Sequence, residues 1–160
     1  MRSSFVKKIL VAGAVVMAAF CESGAAEKQE TAAVWNEDYA QAIKIAAEKK
    51  LPVIMLFSGS DWCPPFIRLD KTVFHQKKFA DFAKSGKAVF FHADFPRRKS
   101  QPENISKQNR HLMQVYRVEG VPTVILTDHS GREFARTGFL PGGVDKYIRH
   151  LEELLKKAPK

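Results

Sequence analysis

The chain has 160 residues and is 45% hydrophobic, which is enough to build the core of one domain. Its formal net charge is +9, and the densest basic run is Arg97-Arg98-Lys99. Because that run stands apart from the other basic pairs and has no aromatic residues among it, it indicates a solvated face and argues against a nucleic-acid partner.

The N-terminal segment has the features of a secretory signal. Basic residues at positions 2, 7 and 8 precede an apolar run from Ile9 to Phe20, and small residues follow at positions 23–26. The run has 12 residues, whereas a membrane-spanning helix needs roughly 20. We therefore predict a signal peptide over residues 1–26, cleaved near Ala25 or Ala26, and an exported protein of the periplasm or cell envelope.

Cys21 raises an alternative, because a cysteine just after an apolar run is similar to a bacterial lipoprotein acceptor site. Phe20 argues against it, since a small residue normally precedes such a cysteine; only lipidation at Cys21 would tie the protein to a membrane. Removal of residues 1–26 leaves Cys63 as the single cysteine of the mature chain. It has no internal partner, so it is either buried and inert or exposed and reactive.

Residues 27–34 are polar and Ala-rich, so we interpret them as a lead-in to a domain that spans residues 35–160. Apolar residues at helical spacing predict a helix over 38–50. A continuous apolar run, Val53–Phe57, predicts a strand buried on both faces. The prolines at 64 and 65 predict a helix that begins directly after Cys63, with an apolar stripe of Phe66, Ile67, Leu69, Val73 and Phe74.

Predicted helices and strands also alternate in the second half of the chain. We predict a helical stretch over 77–84, a strand over 88–95 and a helix over 105–116 that directs Leu112, Val115 and Tyr116 inward. Strands over 123–127 and 132–137 form a hairpin, and a last helix covers 142–157. This order predicts an α/β fold with a central mixed β-sheet flanked by helices.

Cys63 is the candidate nucleophile. A cysteine between a buried strand and a helix N-terminus lies where backbone N–H groups and the helix dipole favour a thiolate. Trp62 before it and two prolines after it indicate a partly exposed turn. The alternative is a buried cysteine that acts as a small apolar side chain.

Two motifs resemble the thioredoxin family. Gly59-Ser60-Asp61-Trp62-Cys63-Pro64-Pro65-Phe66 is similar to its active-site turn, and Gly120-Val121-Pro122-Thr123 is similar to its second signature. The resemblance implies the thioredoxin fold and a cis peptide bond at Pro122 opposite Cys63. It also implies Cys63 as the attacking thiol, Trp62 as a wall of the site, and Val121 with Pro122 as the surface that meets a substrate peptide.

Within the family, the chain most resembles exported bacterial disulfide reductases or isomerases, whose partners are protein substrates with cysteines or disulfides. It departs from them at three positions. Phe66 replaces the second cysteine of the family's Cys-x-x-Cys motif, Phe57 replaces a buried acid, and Pro65 lacks an N–H that could face the sulfur.

These departures predict a monothiol protein that depends on a substrate thiol or an external thiol reductant, and isomerisation suits it better than net reduction. The alternative is a redox-inactive peptide-binding module or chaperone. We expect no cofactor and no metal site, because the five histidines show no i, i+4 pair and no cysteine companions.

Overall fold

A computed structural model describes residues 35–159, which form a four-stranded β-sheet with helices on both faces. The elements are α1 (Tyr39–Lys49), β1 (Val53–Ser58), α2 (Pro64–Leu69), α3 (Lys77–Lys84), β2 (Val89–Asp94), α4 (Glu103–Val115), β3 (Thr123–Thr127), β4 (Glu133–Gly138) and α5 (Gly143–Leu155). The predicted α/β class with a central mixed sheet is confirmed. None of the helices within residues 35–159 is long and apolar enough to cross a membrane.

The strands lie in the order β2-β1-β3-β4. β1 runs parallel to β2 and antiparallel to β3, and β3 runs antiparallel to β4. β1 is buried along its whole length, as its unbroken apolar sequence predicts for a strand that has a neighbour on each side and helices on each face.

The core has two parts, one on each face of the sheet, because successive strand residues point to opposite faces. Ile54 and Leu56 of β1 pack with α2, α3 and α5, whereas Val53, Met55 and Phe57 pack with α1 and α4. Each helix therefore buries one apolar stripe against the sheet and leaves its polar side in water.

Two predicted core positions are wrong. Val115 is 56% exposed and Ile67 is 47% exposed. On α4 the buried side runs through Leu112 and Tyr116, which are four residues apart, and Val115 lies beside that stripe at the last helical position. On α2 the buried side runs through Phe66 and Leu69, which are three residues apart, so Ile67 lies on the outer side of the helix.

A π-helical turn, Asp70–Phe74, continues α2 and was not predicted. Its five-residue spacing appears in the hydrogen bond from the His75 N–H to the Asp70 carbonyl. The same spacing brings the two side chains together, with His75 Nδ1 3.0 Å from an Asp70 carboxylate oxygen. Val73 and Phe74, both in this turn, are buried in the core.

The register of the sheet assembles the candidate site. β1 and β3 are antiparallel with Phe57 opposite Thr123, so the end of β1 lies beside the start of β3. Each strand is flanked there by one of the two motifs, Gly59–Phe66 after β1 and Gly120–Thr123 at the start of β3. Segments almost 60 residues apart in the chain therefore meet at one edge of the sheet.

Candidate functional site

Cys63 is the N-cap residue of α2. Its N–H donates to the Gly59 carbonyl at 2.9 Å, and its own carbonyl accepts from the Ile67 N–H at 2.9 Å. The residue is only 4% exposed, so the expectation of a partly exposed cysteine is wrong. The cause is packing, because Cys63 belongs to a buried core cluster against which Trp62 and Val121 also pack.

The Cys63 thiol faces the second motif. Its Sγ–H donates to the Val121 carbonyl oxygen at a sulfur–oxygen distance of 3.3 Å. The Val121–Pro122 peptide bond is cis, which confirms the prediction that the resemblance made. Thus Cys63, Val121 and Pro122, all predicted as site residues, come together.

A cleft of about 430 Å³ runs beside the Val121–Pro122 segment. Its lining is Arg117, Glu119, Gly120, Val121, Pro122, Thr123 and Arg136. Because both residues of the cis peptide are half-buried and line this cleft, part of their surface is open to a bound peptide.

Trp62 covers the turn that precedes Cys63. Its indole N–H donates to the Phe95 carbonyl at 2.7 Å, and the ring lies directly over Gly59. A Cβ atom at position 59 would collide with the indole, so a glycine is required there for steric reasons. The Arg97 guanidinium lies 3.8 Å from the centre of the ring, which is cation–π geometry.

Asp61 joins the active-site turn to the loop after β2. Its carboxylate accepts the N–H of Arg97 at 3.0 Å and the N–H of Arg98 at 2.7 Å. The hydrogen bond from Arg97 is the largest cause of the lowered pKa of Asp61, and it outweighs the opposing effect of desolvation. Asp61 is therefore ionised at neutral pH, and its carboxylate is hydrogen-bonded to backbone N–H groups.

Phe66 occupies the position of the family's second cysteine and is 3% exposed. Its ring stacks on His92, with centroids 6.2 Å apart and 23° between the planes, and contacts Phe74. Phe57, at the position of the buried acid, is fully buried and lies 6.4 Å from the ring of Tyr116. Both departures from the family pattern are therefore parts of the core.

A polar cluster behind Phe66 was not predicted. Ser58 Oγ donates to an Asp94 carboxylate oxygen at 2.7 Å and lies 2.7 Å from His92 Nε2. A hydroxyl has one proton, so Ser58 must accept from an Nε2–H of His92. Asp94 also accepts from the backbone N–H and the hydroxyl of Ser60.

Burial lowers the pKa of His92, although Asp94 opposes that shift, so the imidazole is neutral at neutral pH. The sequence held one signal of this cluster, since β1 and β2 both end in a polar residue. Ser58 and Asp94 are register partners at the carboxyl end of two parallel strands. Only the register shows that they meet.

The chain belongs to the thioredoxin-like family. The model of the thioredoxin-like domain matches residues 39–155, which include every helix and strand described above. The four predicted site residues lie within this match.

Two curated relatives from Chlamydia pneumoniae are similar to the chain. The disulfide bond reductase DsbH is 33% identical over 123 residues, which cover 75% of this chain and 72% of DsbH. The thioredoxin-related protein DsbJ is 34% identical over 115 residues, which cover 71% of this chain but 33% of DsbJ. The chain therefore matches only a third of the length of DsbJ.

Solved structures agree with the family assignment. A DsbH oxidoreductase superposes with a TM-score of 0.71 at 32% identity and covers 76% of this chain and 83% of its own. A thioredoxin from Thermus thermophilus, with a TM-score of 0.54 at 16% identity, covers 72% of this chain and 82% of its own and shares the fold alone.

Proposed function

We propose that this protein carries out thiol–disulfide exchange on protein substrates through the single thiol of Cys63. The observation that carries the proposal is the contact between Cys63 Sγ and the Val121 carbonyl, beside Pro122. It joins the one thiol of residues 35–159 to a peptide segment that lines an open cleft. The similarity to DsbH supports the same chemistry.

The first step is attack by the Cys63 thiolate on one sulfur of a substrate disulfide. A bond forms between that sulfur and Cys63 Sγ, the substrate S–S bond breaks, and its electron pair leaves with the second substrate sulfur as a thiolate. The product is a mixed disulfide. Since Phe66 supplies no thiol, another thiol must release Cys63.

Either a thiol of the substrate or an external thiol can release Cys63 from the mixed disulfide. If another cysteine of the substrate attacks its own sulfur in the mixed disulfide, Cys63 leaves as a thiolate and the substrate has exchanged one disulfide for another. If an external thiol attacks Cys63 Sγ, the substrate leaves reduced, and a second external thiol then frees Cys63 and leaves the two external thiols as a disulfide. The first route needs no external reductant, so isomerisation suits a monothiol protein better.

We place this activity in the periplasm or cell envelope. The support is the sequence of residues 1–26, with its basic start, apolar run and small residues before Glu27. These residues lie outside the described part of the chain. An exported location would give Cys63 substrates that form disulfides.

The test is to trap the mixed disulfide. Reduced protein is mixed with a peptide that contains one internal disulfide, quenched with acid and analysed by intact mass. We expect a species with the summed mass of protein and peptide, absent from the matched Cys63→Ser variant. Without any adduct from the wild type, the monothiol mechanism is wrong.

A redox-inactive peptide-binding module is the second candidate. The burial of Cys63 and the aromatic side chain at position 66 favour it. The same samples distinguish the two functions: a binding module binds an extended peptide beside Val121 and Pro122 with equal affinity in the wild type and Cys63→Ser, and forms no adduct. A thiol–disulfide exchange enzyme, in contrast, forms the adduct through Cys63. It also restores activity to a substrate protein with scrambled disulfides.

A further inference from the structure

A basic loop follows β2 and is fixed against the active-site turn. We define it as Arg97, Arg98 and Lys99. The Asp61 carboxylate, two residues before Cys63, accepts the N–H groups of Arg97 and Arg98. The loop backbone is therefore tied to the turn that carries the thiol, so the basic loop lies beside that turn.

The cationic side chains of the basic loop are not neutralised by neighbours. Within residues 35–159, none of the three forms an ion pair with a carboxylate. Asp61 contributes one negative charge nearby, but its oxygens are occupied by backbone donors. Asp94, whose carboxylate accepts from Ser60 of the active-site turn, contributes a second negative charge. Three positive charges and two negative charges leave a net positive charge at this side of the site.

Arg97 brings this charge to the wall of the site. Its guanidinium stacks over Trp62, the residue directly before Cys63, at 3.8 Å from the ring centre. A stacked guanidinium holds its plane against the ring and leaves N–H groups at its edge to donate to a carboxylate. All three residues of the basic loop are exposed, so an approaching polypeptide can reach them.

From this geometry we infer that the basic loop recognises acidic side chains next to the reacting cysteine of a polypeptide substrate. The inference rests on the proposed function and names its substrate class. Carboxylates on one side of the reacting cysteine meet the basic loop, while the substrate backbone lies along Val121 and Pro122. The charge acts mainly on the rate of encounter, because exposed charges steer association.

The test uses three peptides of one length with a single cysteine activated as a pyridyl disulfide. The residues that flank the cysteine are all Glu, all Gln or all Lys. Attack by Cys63 forms a protein–peptide disulfide and releases pyridinethione, whose absorbance gives the second-order rate constant. We expect the acidic peptide to react faster than the basic one by on the order of tenfold at low salt, and the ratio to fall as salt screens the charges.

Two triple variants test whether the basic loop causes the preference for the acidic peptide. Arg97→Gln, Arg98→Gln and Lys99→Gln together remove the charge of the basic loop, and the ratio should approach one. Lys44→Gln, Lys49→Gln and Lys50→Gln remove the same charge from α1 and the residue after it; Lys49 and Lys50 precede β1, whereas the active-site turn follows it. This control should keep the wild-type ratio.

A ratio near one in the wild type, or a ratio that persists in the loop variant, overturns the inference. Binding of the loop to vesicles of anionic phospholipid without any preference among the peptides overturns it as well. If no peptide reacts, not even the neutral one, the proposed function has failed. The inference is then decided by equilibrium binding of the same peptides with serine in place of cysteine, where the acidic peptide should bind most tightly.

Discussion

Position 66 lies one helical turn after Cys63, and its phenylalanine ring is buried against His92 and Phe74. In the Cys-x-x-Cys motif of the thioredoxin family, this position holds the second cysteine, whose thiol completes thiol–disulfide exchange. Here it holds a side chain that the core needs for packing, and the imidazole beside it is neutral. One side chain therefore separates a monothiol site from a dithiol site on the same scaffold.

We predict that Phe66→Cys gives the protein insulin reductase turnover with dithiothreitol as electron donor. Residues 63 and 66 are three apart on a helix, so their sulfurs are close enough to bond. Loss of the ring should lower the free energy of unfolding by about 3 kcal/mol, as for other large-to-small core changes. The matched control is Phe66→Ser, which has the same cavity but no thiol. Equal turnover in the two variants would show that the gain does not come from a second thiol.

At the scale of elements, the meeting of β1, β2 and β3 at one edge of the sheet builds the site. β3 brings Val121 and Pro122 to Cys63, and β2 brings Asp94 to Ser58 and leads into the basic loop. Asp61 links the turn after β1 to the loop after β2 through the N–H groups of Arg97 and Arg98. The Trp62 indole N–H, which donates to the Phe95 carbonyl, is a second link between the two segments.

We predict that Asp61→Ala speeds hydrogen exchange at the amides of Arg97 and Arg98 by on the order of tenfold or more. Each amide loses a hydrogen bond to a charged acceptor, which contributes about 1.5–3 kcal/mol. Exchange measured by NMR at these two amides tests it. The control is Asp81→Ala, which removes an exposed carboxylate of α3. Unchanged exchange in Asp61→Ala would mean that the loop holds its conformation without Asp61.

The turn between β3 and β4 depends on a buried carboxylate, Asp128, which is 5% exposed. Burial alone would raise its pKa, but hydrogen bonds from Ser130 and Arg132 outweigh it and lower the pKa to about 2. A lowered carboxyl pKa stabilises the fold above the unfolded value of about 3.9, and this contribution is lost as the pH falls towards 2.

We therefore predict that Asp128→Asn costs about 2 kcal/mol of unfolding free energy at neutral pH. The difference from the wild type should shrink between about pH 4 and pH 2, where the wild-type carboxylate becomes protonated. Urea unfolding across this range measures it, with His129→Asn, an exposed change in the same turn, as control. A difference that stays constant with pH would contradict the role of the charge.

Most elements could be predicted because their signals are local. The strand Thr123–Thr127 and the helix Lys77–Lys84 have the predicted bounds, and Cys63, Val121 and Pro122 could be found from two short motifs. The cluster of Ser58, His92 and Asp94 could not, since it exists only through the register of β1 on β2. The burial of Cys63, which the sequence left open as the alternative, could not be decided either, because it depends on Trp62 and Val121, from two motifs almost 60 residues apart, packing on one core cluster.

At the scale of the whole molecule, compartment and chemistry depend on each other. Under the proposed mechanism, a chain whose described residues hold one thiol, with the buried Phe66 in place of a second, needs a partner thiol from outside its own fold. Export would place it among proteins whose cysteines pair, where substrate thiols and disulfides are both present. Loss of residues 1–26 would also leave Cys63 as its only cysteine, so no second thiol of the chain could compete for it.

We predict that the mature chain in the envelope fraction begins close to Glu27, because small residues end at Ala26. Intact-mass measurement of the protein purified from that fraction should give the mass of a chain without residues 1–26. The matched variant Cys21→Ser changes only the predicted signal segment, so it should give the same mass and the same fractionation. A diacylated N-terminus at Cys21, lost in Cys21→Ser, would contradict this prediction and establish the lipoprotein. Cys63 would then act from a membrane-tethered domain, and its substrates would be those within reach of the membrane surface.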